Sequence, residues 1–236
     1  MKYLVRLLLI VGCLFTHTTQ AQPTLLHSVV KPQGKVEAAS LNRTERYLLS
    51  LGDDAFIQGS MYLEDDFRPG IMILKNGTVY RDMFYRYNIF SHKVQMLQGI
   101  DTLALIKPEL VRFLKIGERT FVYDSIAATD SMQHVFFQLL SDGPVRLLVK
   151  HTSVFQPVIP YFREMHIGDE YDSFVLTKAY YVQEAGKPAI RVRKSIRSLV
   201  TALPHYEKSI TNHCNLLDLN LRKESDLVRL FEALNH

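Results

Sequence analysis

Cysteine and tryptophan are scarce in this sequence: two cysteines and no tryptophan in 236 residues. Cys13 falls within an N-terminal stretch that reads as an export signal, so Cys214 is left without a partner in the mature chain and an internal disulfide is excluded. A disulfide-stapled secreted scaffold is therefore ruled out, whereas a bacterial envelope protein needs no such framework. Long apolar runs are missing too. The signal's apolar core, Leu7–Phe15, is far short of the ~20 residues a membrane-spanning helix requires. No HExxH, HxH or paired-cysteine pattern collects a metal, no GxSxG elbow presents a nucleophile, and neither GxxxxGK[ST] nor GxGxxG cradles phosphate. No metal and no cofactor is expected.

What is present begins with the signal. Lys2 and Arg6 precede the apolar core, and Thr19-Gln20-Ala21 supplies small residues where a signal peptidase reads, so residues 1–21 are removed and the mature chain starts at Gln22. Ile10-Val11-Gly12-Cys13 is a rival lipobox that would place a lipid anchor on Cys13. Leu14 and Phe15 continue the apolar core past that cut, which favours cleavage after Ala21. The formal charge of +4 includes Lys2 and Arg6, with no acid in the signal, so the mature chain carries only +2. Such a balance has none of the concentrated positive field of a nucleic-acid binder.

Residues 22–55 read as a polar leader or edge segment, with a short helix over Leu41–Leu51. Residues 56–193 alternate short β-branched and aromatic runs with Gly, Pro, Asn and Asp, the pattern of successive antiparallel strands. Strands are expected at 71–74, 78–90, 93–97, 103–106, 111–116, 120–123, 134–140, 145–151, 174–181 and 189–192. Asn76-Gly77 supplies a hairpin turn between the first two. No helix of the length a parallel crossover needs is read between the strands, so the sheet is expected to be antiparallel. A full transmembrane barrel is not expected, because the strands are short and too many carry charge on both faces. Residues 194–236 switch to helical spacing, with Leu227, Leu230, Phe231 and Leu234 on one stripe. The fold class that follows is β-rich α+β: an antiparallel curved sheet or partial barrel with a C-terminal helical unit.

Within residues 78–90, alternation puts Val79, Met83, Tyr85, Tyr87 and Ile89 on a core face and Tyr80, Asp82, Phe84, Arg86, Asn88 and Phe90 on a mixed one. Tyr80, Arg86 and Asn88 on that mixed face are the candidate binding residues. Tyr62, Tyr80, Tyr85 and Tyr87 could stack on sugar rings or grip a peptide, but tyrosines at such positions mainly pack. Arg191, Arg193, Lys194 and Arg197 form the densest basic run and could meet phosphates of an acidic envelope polymer; a charge-guarded sheet edge is the plainer reading. Glu164, His166, Asp169, Glu170 and Asp172 are the closest approach to a ligand cluster and read as a solvated loop. Cys214 falls at an apolar helix position and reads as inert.

The segments "GSMYLEDDFRPGIMILKNGTVYRDMFYRYNIFSHKVQML", "SDGPVRLLVK" and "KESDLVRLFEALN" resemble a family of secreted proteins of Bacteroidota-type bacteria. Gly59, Tyr62, Leu63, Phe67, Gly70, Arg86, Tyr87, Asn88, Gly143 and Lys150 carry the resemblance. It covers most of the mature chain and agrees with export. Its motifs belong to turns and strands, so it implies no activity and no site residues. Asp101-Thr102-Leu103, Asp124-Ser125-Ile126 and Asp130-Ser131-Met132 resemble the O-glycosylation motif of such bacteria.

Together these features point to a periplasmic or outer-membrane-associated, non-enzymatic protein. It would bind an envelope protein, lipid or glycan through the mixed face, with no nucleic-acid partner and no transmembrane span in the mature chain. A carrier enclosing a small apolar ligand is the alternative. A hydrolase of envelope polymers working through Asp65, Asp66 or Asp169 is the third.

Overall fold

Eleven strands form one antiparallel sheet in the computed structural model, which describes residues 30–32, 44, 57–127, 132–158 and 171–236. The export signal, the Cys13 lipobox, the Leu41–Leu51 helix apart from Thr44, the Glu164–Glu170 cluster and Asp130-Ser131 lie outside the described residues. The strands are β1 (Val30–Pro32), β2 (Arg68–Leu74), β3 (Val79–Asn88), β4 (Lys93–Gln98), β5 (Asp101–Leu105) and β6 (Val111–Ile116). They continue with β7 (Arg119–Ile126), β8 (Gln133–Ser141), β9 (Val145–Gln156), β10 (Ser173–Glu184) and β11 (Ile190–Val192). Their order is β1-β5-β4-β3-β2-β6-β7-β8-β9-β10-β11. Two meanders thus share the sheet, joined where β6 returns to pair with β2. Helices α1 (Ile196–Ala202), α2 (Glu207–Leu216) and α3 (Glu224–Leu234) follow. The fold is β-rich α+β, and the sheet does not close into a barrel.

A single transverse row shows how the core is laid down. Tyr80, Met72, Leu114, Phe121, Gln138, Val149, Tyr180 and Val192 are successive cross-strand partners, so all eight share one face. Across β2–β8 this face curls around its own side chains. Strands β3 and β8 are four places apart, about 19 Å if the sheet were flat at ~4.8 Å per strand, yet the Tyr87 and Phe136 rings meet edge-on with centroids 5.9 Å apart. Across β8–β11 the same face is capped instead by the helices, through Leu199, Ile210, Cys214, Leu227, Leu230 and Phe231. The opposite face of β7–β10 buries Val122, Phe137, Leu148 and Tyr181. There the chain before β11 folds back to β7, with Ala127 N–H bonding Ala189 O and Ala189 N–H bonding Ser125 O.

The structure corrects the face assigned to Tyr80. Gly70 pairs with Met83 and Met72 with Tyr80, so β3 holds one residue more than β2 over this interval. The extra residue is accommodated at Asp82, whose φ of 57° lies in the left-handed region that Asp tolerates better than most residues. This bulge reverses the alternation, and Tyr80 joins Tyr85 and Tyr87 in the core rather than Arg86 and Asn88 on the mixed face.

Two further devices lock the architecture. A strap upstream of β2 leaves β10 at Gln58, passes β9 where Ser153 Oγ donates to Ser60 O, and reaches β3 where Leu63 N–H donates to Tyr87 O. At the other end, Asn235 just past α3 ties the β8–β9 turn, its Oδ1 accepting from Val145 N–H and its Nδ2 donating to Val145 O and Asp142 O. A side chain at Gly143 would strike that Asn235 amide, which explains the glycine there.

A half-buried and a buried histidine give the fold an acid limit. Burial, and then the positive charge of Lys150, hold His92 down to about 4. Burial, then Arg119 and Lys178, partly offset by Glu224, do the same for His151, also to about 4. Unfolded histidines take up protons near 6.5. The unfolded chain therefore binds more protons between those values, and stability that is whole above 6.5 is lost as pH falls toward 4. The urea midpoint should drop through that window, and the double variant His92→Phe/His151→Gln should flatten the drop. A parent midpoint that does not change between pH 7 and 4.5 would contradict this account.

Candidate functional site

Arg86, at the heart of the mixed face of β3, has its guanidinium fully engaged. Its Nε and Nη2 donate to Gln95 Oε1 at 3.0 and 2.8 Å, and Nη1 donates to Asp65 O at 3.0 Å. The Tyr62 ring lies 3.8 Å below the guanidinium carbon and the Phe67 ring 4.5 Å from it. Asn88 accepts from the N–H groups of Phe90 and Ser91, closing the turn into β4. Tyr80 is buried with its hydroxyl unpartnered, and burial pushes its phenol up. The mixed face near Arg86 is therefore met by the chain's own residues 62–67. Several residues around this face serve the fold: a Cβ at Gly59 would strike the Phe174 carbonyl, one at Gly70 would crowd the Tyr85 ring, and Tyr62, Phe67 and Arg86 form one stack.

Of the carboxylates considered for hydrolysis, Asp65 is engaged within the strap. Asp65 accepts from the Ser60 hydroxyl, and Glu64 sits between Arg68 and Arg119. Asp66 lies on the surface 3.9 Å from Arg68, and Asp169 is outside the described residues. Asp172, the one member of the 164–172 acidic group among the described residues, accepts from Val158 N–H. Among the described residues no three His, Cys, Asp or Glu side chains converge as for a metal. None of their helices is long and apolar enough to cross a membrane. Cys214 is a buried free thiol on α2, and burial pushes it up, away from the reactive thiolate.

The curl around Tyr85 and Tyr87 is filled by side chains. The space left beside Leu63, Tyr85 and Phe121 is about 10 Å³, roughly one water. A carrier would need several hundred Å³ there.

A larger opening lies at the sheet's last edge, an open groove of about 930 Å³ between β10, β11 and α1. Lys178, Arg191, Arg193, Lys194 and Arg197 line it. The basic run read from the sequence is thus brought together, although Arg191 and Arg193 do not share a strand face, because β11 stops at Val192 and Arg193 N–H turns to Ser198 Oγ at 2.8 Å. The turn is a local consequence of sequence: Ser195 caps α1, accepting from Ser198 N–H, while Val192 and Leu199 are drawn into the core. Lys178 and Tyr180 were not legible as members, because only the β10–β11 pairing delivers them.

The groove's charge is only partly answered. Glu224 receives hydrogen bonds from Lys178 Nζ and the Tyr180 hydroxyl. Its carboxyl is held below the usual range by those two bonds and by the charges of Lys178 and Lys194, against the opposing pull of burial. Lys194 lies 5.2 Å from the Tyr180 ring and donates to Arg222 O. Arg191, Arg193 and Arg197 have no acidic partner among the described residues. Arg191 also acts at a distance, adding to the effect of burial in lowering Lys150.

The lining contains no His, Asp, Glu or Cys. Its serine and threonine hydroxyls serve the backbone: Ser195 and Ser198 accept from N–H groups, and Thr201 donates to Arg197 O. A surface of this kind is suited by charge to anions. Compared with protein-family models, curated proteins and solved structures, the chain has no match.

Proposed function

We propose that this chain is an exported, non-catalytic binding protein of the cell envelope, and that the groove along β11 and α1 holds an anionic partner. The observation that carries this reading is the set Arg191, Arg193 and Arg197, three guanidinium groups on one groove with no carboxylate among the described residues to answer them. Clustered like charge is unfavourable, and a ligand bearing carboxylates or phosphates relieves it with bidentate hydrogen bonds. The signal pattern of residues 1–21 and the resemblance to secreted Bacteroidota proteins support export.

The test uses inorganic polyphosphate as a charge-only probe. The triple variant Arg191→Ala/Arg193→Ala/Arg197→Ala should keep its circular dichroism spectrum and bind about tenfold more weakly or worse, with a shallower salt dependence. A folded triple variant that binds as tightly as the parent sinks the groove as the site.

A further inference from the structure

Strand β10 is left half-paired on its outer side. β9 pairs with it over its whole length, Ser173–Glu184. On the other side β11 covers only Tyr180–Val182, and the strap meets it at Phe174, whose N–H donates to Gln58 O at 2.8 Å. Backbone groups of an antiparallel strand point alternately to either side. The Phe174 bond sets the outward parity, and Tyr180 and Val182 keep it. The N–H and C=O groups of Leu176 and Lys178 therefore face outward, with no partner among the described residues.

Natural sheets guard such an edge with charge, proline or a covering element. Here Leu176 is 56% exposed, and Val154 and Val175 beside it are 44% and 37% exposed. The one charge, Lys178, is paired with Glu224 at 2.7 Å. The edge opens directly into the arginine groove, to which Lys178, Ala179 and Tyr180 also belong.

We propose that the partner is an extended acidic segment of another protein, which adds to β10 over Val175–Ala179 as a short strand in line with β11. Its acidic side chains then meet Arg191, Arg193 and Arg197. This rests on the groove being an anion site and names what occupies it. Five residues at ~3.4 Å each give about 17 Å of edge, enough for the few backbone bonds by which added strands gain affinity. A phosphate polymer would answer the arginines but leave Leu176, Val175 and the backbone groups to water. A second copy of this chain, paired edge to edge, would bring two sets of unanswered arginines together. Acidic peptide satisfies backbone, aliphatic surface and charge at once.

The probes are an alternating Val-Glu octapeptide, the same peptide N-methylated on alternate residues in either register, and inorganic polyphosphate. Anisotropy should show the plain peptide binding and one N-methylated register weaker by about tenfold, since blocked backbone bonds cannot form. Hydrogen exchange at the amides of Leu176 and Lys178 should slow by about tenfold on adding the plain peptide. If all probes bind alike and those amides do not slow, strand addition is wrong while the anion groove stands. If no probe binds, both fall. If the same amides are protected without peptide as protein concentration rises, a second copy occupies the edge and the proposal is overturned.

Discussion

Gly70→Ala is expected to destabilise the protein by about 3 kcal/mol, at the upper end for overpacking, because neither neighbour has room to move. A Cβ at Gly70 would lie on the Lys115 carbonyl oxygen of β6 and 2.8 Å from Tyr85 Cδ2. The first is backbone inside a ladder, with Gly70 paired to Ile116. The second belongs to one of the most deeply buried rings of the curl. Thermal unfolding should show a midpoint lower by about 10 °C for a domain of this size. Gly77→Ala is the control: it forces an unfavourable φ, +88°, which Gly70→Ala does not, but meets nothing within 4 Å. That change should cost only about 1 kcal/mol. Equal losses for the two variants would mean that the close approach of β2 to β6 is not what requires a glycine.

The second large effect is expected at Arg86. Arg86→Ala removes three hydrogen bonds and two cation–ring contacts from a part-buried stack. Loss of these should cost about 2–3 kcal/mol. Arg86→Lys should recover little, because an ammonium can stay over Tyr62 but cannot present the planar fork that reaches Gln95 and Asp65 O together. Urea unfolding of the two variants provides the comparison. A lysine variant within about 0.5 kcal/mol of the parent would show that charge over the ring suffices and that the fork geometry is incidental. Either variant should leave polyphosphate binding unchanged so long as it is folded, since the groove lies at the far edge of the sheet.

The strands of the β domain were largely legible, because period-2 alternation and turn residues are local signals. β6 begins and ends where its apolar run does, and α3 carries its apolar stripe into the core at Leu227, Leu230 and Phe231. The Tyr80 face was not legible. A bulge adds one residue, and the polar pair Arg81-Asp82 reads the same in a regular strand as in a bulged one. The mixed face also held a hidden constraint. Alternation announced that something polar could meet Arg86 but not that residues 62–67 of the same chain would do so, some twenty positions away.

The basic run was visible as charge, and its use was not. Sequence spacing put Arg191 and Arg193 on one strand face, whereas the turn at Arg193 and the start of α1 fan them around a groove instead. The edge of β10 has no sequence signature at all. Val175 and Leu176 look like core residues of a paired strand, and whether a neighbour covers them depends on how far β11 runs before it leaves the sheet.

By itself the amino-acid order determined the apolar spacing, the turns, the class of fold and the absence of familiar catalytic patterns, since each of these acts over a few residues. Only the folded chain decided the curl, the strap, the parity of Tyr80 and the partly answered charge of the last edge. Those depend on which distant strands become neighbours, and that choice is made by the joint burial of side chains from both meanders rather than by any one segment.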